Sequence, residues 1–117
     1  MKSKNNPPYI YHIAEVQTWL GAPEVGEYCC SSLQSEGFIH CSTDTQYLTI
    51  ANHFFSGRGD LVLLEINTDS VVAPIQYENL EGGSEMYPHI YGPINLNAVV
   101  KAYDLIPDKH GQFISPI

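Results

Sequence analysis

The stretch that decides the fold is residues 36–46, Glu36-Gly37-Phe38-Ile39-His40-Cys41-Ser42-Thr43-Asp44-Thr45-Gln46. Gly37 ends a short helix that begins with the capping-box pattern Ser31-x-x-Gln34. The aromatic and branched residues 38–41 then predict a strand. Thr43-x-x-Gln46 repeats the capping-box pattern and predicts the start of an amphipathic helix. A strand carrying His40 is therefore expected between two helices.

The same signals, followed outward, predict an α+β fold whose helices come early and whose strands come late. The predicted strands form a sheet of about five or six members: Tyr9–Ile13, Phe38–Cys41, Leu61–Ile66, Val71–Tyr77, His89–Tyr91 and Ala98–Ile106. The nearly continuous apolar run Leu61–Ile66 is expected to be central. Pro74 favours an edge position or a bulge for its strand.

Two further helices are predicted beside the short one. The first covers Glu15–Leu20, carries Trp19 on its buried side, and is ended by Gly21 and Pro23. The second covers Asp44–Phe55, and its apolar face consists of Tyr47, Ile50, Ala51, Phe54 and Phe55. The whole chain, 1–117, is predicted to be one domain with a loose N-terminal leader at 1–8.

Charge excludes several classes of partner. Thirteen acidic residues stand against five basic ones, which gives a formal net charge of −8. Long nucleic acids and anionic membranes attract proteins with basic patches, so neither is an expected partner. The sequence has no apolar run of membrane-spanning length, no signal-peptide pattern at its N-terminus, and three cysteines without CxxC spacing. A cytoplasmic protein with reduced cysteines is predicted.

Five histidines are the residues best able to carry chemistry, and they differ in setting. His12 and His40 lie inside predicted strands among bulky neighbours, where an imidazole needs hydrogen-bonding partners. Each is read equally well as a core histidine bonded to backbone carbonyls or to Ser42. His89 belongs to a rigid segment with two prolines and two tyrosines, which is typical of ligand pockets and of structural corners alike. His53 and His110 are predicted to be partly or fully exposed.

Metal binding and cysteine catalysis are the alternatives. His12, His40 and His89 could supply three zinc ligands, but the sequence lacks HxH, HxxxH and HExxH spacing. Cys41 would point to the opposite strand face from His40. Cys29 and Cys30 precede a helix start, where a thiolate is stabilised, yet no histidine is near them in sequence. No bound metal is predicted.

Three strings together resemble a bacterial family catalogued as a domain of unknown function (number 952). They are Ile10-Tyr11-His12-Ile13, Glu36-Gly37-Phe38-Ile39-His40-Cys41-Ser42-Thr43 and Pro88-His89-Ile90-Tyr91-Gly92-Pro93. The resemblance extends from about Tyr9 to about Ile106. It implies a fold like that of ADP-ribosyltransferases, in which a split β-sheet clasps NAD.

A more distant resemblance, to the RNA 2′-phosphotransferase branch of that superfamily, assigns roles. Tyr11-His12 and Ile39-His40-Cys41-Ser42 match its two histidine strings. The match implies that His12 contacts the ribose beside the nicotinamide and that His40 lines the same cleft. The chain departs from the pattern because Ile13 replaces a glycine and Arg58 is the single arginine. A 2′-phosphorylated RNA substrate is therefore not expected.

Two functions remain open at this point. The first is transfer or cleavage at the nicotinamide–ribose bond of NAD, with His12 and His40 as catalytic residues and with Tyr11, Ser42, His89 and Tyr91 as ligand-binding residues. The second is a non-catalytic module that binds a nucleotide or another small metabolite, which the lack of a clearly placed catalytic carboxylate favours. Glu78, Glu81 and Glu85 are the candidate carboxylates. Both functions require His12 and His40 to open onto one shared pocket.

Overall fold

In this computed structural model, which describes residues 7–80 and 82–117, the chain folds into antiparallel sheets, and its α-helices all precede the strand that begins at Leu61 in the described residues. The strands in that part of the chain are β1 (Tyr9–Glu15), β2 (Glu27–Tyr28), β3 (Ile39–His40), β4 (Leu61–Asn67), β5 (Ile75–Glu78), β6 (Tyr87–Ile90), β7 (Ile94–Asn95) and β8 (Val99–Leu105). The α-helices are α1 (Val16–Val25), α2 (Ser31–Glu36) and α3 (Tyr47–Phe54), followed later by 3-10 turns at Thr68–Ser70 and Leu96–Ala98. The α+β class and the early position of the helices are confirmed.

The first sheet has the order β1-β4-β8, with β4 in the centre as its apolar run predicted. His12 lies opposite Leu64 in the register of β1 with β4. Because side chains alternate along a strand, Ile10, His12 and Ala14 share one face. Ile10 and Ala14 belong to the main hydrophobic core, so His12 is directed toward that core as well. Tyr11 is on the other face and packs against Tyr47 of α3, with ring centroids 5.1 Å apart and the rings tilted by 38°.

The second sheet has the order β3-β6-β5, with β5 at an edge as predicted. The strand predicted over Val71–Tyr77 begins only at Ile75, because Pro74 has no N–H to pair and ends up outside it. His40 pairs with His89 in its register, so these two side chains project from the same face. Ile39 and Ile90 project from the opposite face into the core. Backbone hydrogen bonds between Tyr11 and Ser42, 2.7 and 2.8 Å long, join this sheet region to β1.

The number of strands and the extent of α1 differ from the prediction. Eight strands occur in the described residues instead of five or six, chiefly because β2 and β7 form a separate two-stranded sheet. Strands of two residues show no alternation in a sequence. The helix predicted to end at Leu20 continues through Gly21 and Pro23 to Val25 and ends at Gly26 in the left-handed conformation. Burial of Ala22 and packing of Trp19 against the core outweigh the weak helix propensity of the Gly and Pro positions.

The helix after His40 is present, but one residue of its predicted apolar face is wrong. Its buried face consists of Tyr47 and Ala51, with Leu48 and Phe55 partly buried. Phe54 is 62% exposed. Half of the predicted capping box forms, because the Thr43 N–H donates to Gln46 Oε1 over 3.0 Å. The helix therefore begins at Tyr47, three residues later than Asp44, and its face is rotated toward positions 47, 51 and 55.

The predicted leader is only partly visible. Residues 1–6 lie outside the described residues. The carbonyl groups of Pro7 and Pro8 accept hydrogen bonds from Thr68, so the end of the leader is held against the turn that follows β4.

Candidate functional site

A cleft of ≈ 1340 Å³ opens between the strand ends of the two larger sheets, helices α2 and α3, and the loop that follows β5. Five of the six residues predicted for the site line this cleft: Tyr11, His12, His40, Ser42 and His89. The sixth, Tyr91, is not among the lining residues but contacts two of them, Glu78 and Phe38. The structure thus brings the three histidines of separate strings together on one concave surface.

His12 is the most enclosed of the three histidines, with 7% of its surface exposed. Its Nδ1 lies 2.5 Å from the carbonyl oxygen of His40, and its Nε2 lies 2.8 Å from the hydroxyl of Tyr28. A carbonyl oxygen only accepts hydrogen bonds, so Nδ1 carries the proton. Nε2 of the neutral ring then accepts from the Tyr28 hydroxyl. Burial lowers the pKa of His12 to about 4, which keeps the ring neutral near pH 7.

His40 is an exposed cleft residue and not a core histidine. Its side chain is 46% exposed and lies at the end of β3. Nε2 of His40 lies 3.0 Å from Oε2 of Glu36, so the N–H donates to the carboxylate. A carboxylate that accepts from one ring nitrogen fixes the tautomer and the orientation of the ring. Nδ1 of His40 has no hydrogen-bonding partner in the described part of the chain, so its lone pair is available in the cleft.

His89 forms a second histidine–carboxylate pair on the same face. Nδ1 of His89 lies 2.8 Å from Oε1 of Glu78, and the hydroxyl of Tyr91 donates to the same oxygen over 2.6 Å. The hydrogen bond from Tyr91, followed by that from His89, lowers the pKa of Glu78. The same carboxylate raises the pKa of Tyr91. Glu78 is therefore an ionised carboxylate held in place on the cleft wall.

Aromatic contacts fix the two histidine–carboxylate pairs relative to each other. Phe38 stacks on His89 with ring centroids 4.2 Å apart and an interplanar angle of 23°. The ring of His40 lies 4.8 Å from Phe38 and 5.4 Å from His89. Phe38 has the parity of His40 along the strand, so it projects from the same face. The result is an aromatic wall that carries two imidazoles, each hydrogen-bonded to its own carboxylate, Glu36 or Glu78.

The loop after β5 is tied to the start of α3. Nε2 of Gln46 donates to Oε1 of Glu85 over 3.2 Å and to the carbonyl oxygen of Met86 over 2.9 Å. Glu85 also lines the cleft. Of the three candidate carboxylates, Glu78 and Glu85 therefore lie at the site, and Glu81 falls outside the described residues.

The lining carries more negative than positive charge. Its carboxylates are Glu15, Glu36, Glu78 and Glu85, and its one cation within the described residues is Arg58. The guanidinium of Arg58 is bonded to Asp60 at 2.6 and 3.0 Å and to Glu15 at 2.8 Å. No group of three His, Cys, Asp or Glu side chains in residues 7–80 and 82–117 has an arrangement that could hold a metal ion.

The three cysteines are free thiols that also line the cleft. Burial raises the pKa of the Cys41 thiol, and it is the main cause of the raised pKa of Cys29. A thiol with a raised pKa is a poor nucleophile near neutral pH. The arrangement thus gives no support to catalysis through cysteine.

Sequence reasoning missed Tyr28, Phe38 and Glu36 as site residues. Phe38 could have been found, because it is two positions before His40 and shares its strand face. Glu36 is four positions before His40, but the helix end at Gly37 lies between them, so no helical spacing connects the pair. Tyr28 comes from a two-residue strand that leaves no signal in the sequence.

The comparisons with known proteins agree with this geometry at the level of family and fold. A family model described as "Protein of unknown function (DUF952)" matches residues 13–102. The chain belongs to this family. Two X-ray structures of protein CC0527 from Caulobacter crescentus, one of them a double mutant, resemble this DUF952 chain with a TM-score of 0.81 and 29% identity. Each comparison covers 91% of this chain and 93% of the other.

A solution NMR structure of the same Caulobacter crescentus protein gives a TM-score of 0.77 at 29% identity, covering 90% of each chain. No curated protein matches the chain. No α-helix among the described residues of this DUF952 chain is long and apolar enough to cross a membrane.

Proposed function

We propose that this DUF952 chain binds an N-ribosyl compound of the NAD type in the cleft and cleaves, or transfers at, the bond between nicotinamide and ribose. The observation that carries the proposal is that the ionised Glu78 and the imidazoles of His40 and His89 line one cleft with an aromatic wall. The resemblance to NAD-clasping ADP-ribosyltransferases supports the same reaction.

The reaction needs a stabilised positive charge on the sugar. When the C1′–N bond breaks, its electron pair goes to the ring nitrogen, and nicotinamide leaves as a neutral molecule without needing a proton. The ribose becomes an oxocarbenium-like cation. An ionised carboxylate placed beforehand beside that cation lowers the barrier because it need not reorganise during the reaction. The hydrogen bonds from Tyr91 and His89 hold Glu78 in this ionised state.

The second half of the reaction needs a base. Water or an acceptor hydroxyl attacks C1′ and must lose a proton. His40 offers Nδ1 for this proton, and Glu36 on Nε2 stabilises the imidazolium that results. A positioned base of this kind contributes typically about 10²–10⁴-fold to the rate.

His12 acts differently in this proposal from what the resemblance implied. Both of its ring nitrogens are engaged by His40 and Tyr28. Direct contact between His12 and the ribose stays a prediction. Meanwhile, His12 positions the backbone of His40 and orients the Tyr28 hydroxyl, which also lines the cleft. Tyr91 likewise acts through Glu78 and has no contact of its own with the ligand in this proposal.

A second function, a non-catalytic binding module, is favoured by one specific observation. Phosphate groups of dinucleotides are usually held by cations or free backbone amides. The cleft's guanidinium, Arg58, is already occupied by Asp60 and Glu15. Such a cleft would bind a small ligand without the contacts to phosphate that the transferases make.

Release of free nicotinamide from NAD and from nicotinamide riboside, measured by chromatography, tests the proposal. The Glu78→Gln and His40→Gln variants should each lose about 100-fold or more of the rate, because each removes a charge or base used in the reaction. Asp104→Asn on β8 is the matched control, since it removes an exposed carboxylate away from the cleft and should not change the rate. Binding of either compound without nicotinamide release would favour the binding module. Absence of binding by both would refute the proposed function.

A further inference from the structure

We infer that the ligand class of the cleft is a cationic, phosphate-free N-glycoside, for which nicotinamide riboside is the model compound. The inference rests on the proposed function and narrows its substrate. It excludes NAD itself and other nucleotides as good ligands of this chain, although the fold resemblance points to NAD.

The charge of the lining is the first support. Arg58 balances Glu15, so the side chains of Glu36, Glu78 and Glu85 leave the cleft with uncompensated negative charge. Within the described residues no lysine lines the cleft; Lys101 lies over the ring of Tyr103 on the other sheet, and Lys109 is exposed in the C-terminal segment. A concave surface with charge of one sign attracts ligands of the opposite sign and repels those of the same sign. A phosphate in this cleft would face carboxylates without a cation to bind it.

The second support is independent of charge. His89 is 5% exposed, and its Nε2 has no hydrogen-bonding partner among residues 7–80 and 82–117. Nε2 is not among the fully buried polar atoms without a partner in those residues. It is therefore accessible from the cleft that His89 lines. In the neutral tautomer whose Nδ1 donates to Glu78, Nε2 accepts a hydrogen bond from a ligand. A ribose hydroxyl or a carboxamide N–H supplies such a donor and a phosphate oxygen does not, so this nitrogen fits the nicotinamide riboside part of a ligand and not its phosphate.

The third support is the aromatic wall. Phe38 and His89 stack on each other and are buried, whereas the neighbouring ring of His40 is 46% exposed in the cleft, so a planar cation can pack on it. The pyridinium ring of nicotinamide riboside is planar and positively charged. Its charge also disappears when the glycosidic bond breaks, so the acidic lining attracts the substrate more strongly than the released nicotinamide.

Isothermal titration calorimetry with three compounds of nearly the same shape separates the effect of the ring charge on binding from the effect of the phosphate. Nicotinamide riboside carries the cationic ring, its 1,4-dihydro form is neutral, and nicotinamide mononucleotide adds a phosphate. We expect the riboside to bind about tenfold more tightly than either of the other two, a difference that one charge near several carboxylates can produce. Higher salt should weaken binding of the riboside and should strengthen binding of the mononucleotide.

Two conservative variants test whether the carboxylates cause the preference. Glu36→Gln and Glu85→Gln keep an oxygen for the hydrogen bonds of His40 and Gln46, so the folded cleft should persist. Each should reduce the preference for the riboside over the mononucleotide by about threefold to fivefold, whereas Asp104→Asn should leave it unchanged.

The outcomes distinguish this inference from the proposed function. If NAD or the mononucleotide binds as tightly as the riboside and releases nicotinamide, the proposed function stands and the inference is wrong. If the neutral dihydro form binds as tightly as the cation, the charge argument is wrong. If none of the compounds binds to the folded protein, both are refuted.

Discussion

Acid should destabilise this protein through the protonation of His12. Burial lowers the pKa of His12 to about 4 from its ordinary value of 6.5, so the unfolded chain takes up a proton there more readily than the folded chain. The stability contributed by the neutral ring is complete above pH 6.5 and is lost as the pH falls toward 4. Linkage with these two pKa values gives a loss of about 2 kcal/mol at pH 5 and about 3 kcal/mol at pH 4.

Urea denaturation of the wild type and of His12→Asn between pH 7.5 and pH 4 measures this loss. The asparagine amide can still donate to the His40 carbonyl, but Tyr28 loses its acceptor, which should cost about 1–3 kcal/mol at pH 7.5. Carboxylates titrate in both proteins and cancel in the difference. The stability advantage of the wild type should therefore shrink by about 2 kcal/mol by pH 5.

The control for this experiment is His110→Asn, because His110 is exposed in the C-terminal segment. Its difference from the wild type should stay constant over the same pH range. A constant difference for His12→Asn as well would refute the assignment of His12 as a neutral, buried link between the two sheets.

Three further outcomes are expected. Phe54→Ala should change the free energy of unfolding by less than about 1 kcal/mol, whereas Phe38→Ala, which removes a ring that is 6% exposed, should cost about 3–5 kcal/mol in the same urea titration. Gly92→Ala should cost about 1–3 kcal/mol by thermal denaturation, because the added Cβ would lie 2.8 Å from Cβ of Ala73; an unchanged melting temperature would contradict the packing there. Elemental analysis of protein purified without added metal should find no stoichiometric zinc, and zinc that is lost in His12→Ala would contradict this prediction.

Much of the fold follows from local signals that agree with the tertiary packing. The apolar run of β4 predicts a central strand because a strand that is buried on both faces carries apolar side chains at nearly every position. Gly37 and the Thr43–Gln46 pair mark the helix ends on either side of His40, and both features are present. The misplacements occur where packing overrides propensity, as in the passage of α1 through Pro23, or where a strand is two residues long.

The site was only partly predictable for a related reason. A sequence places His12, His40 and His89 on strands, and parity along each strand then limits which neighbours share a face. It does not give the distance between strands that are far apart in the chain. The pairing of His40 with His89 and the contact of Glu78 with Tyr91 depend on the register of β3, β6 and β5, which no local pattern specifies.

The different roles of His12 and His40 follow from how the two sheets meet. The Tyr11–Ser42 bridge brings β1 against the end of β3, so a histidine next to Tyr11 must face the core between the sheets. There it can satisfy the His40 carbonyl, which β6 leaves free at the strand end. A protonated ring at that position would destabilise the fold. Because burial lowers the pKa of His12 to about 4, the ring stays neutral near pH 7. His40 is thereby held with its own ring in the cleft. Chemistry in this protein is thus expected from the exposed histidine, and rigidity from the buried one.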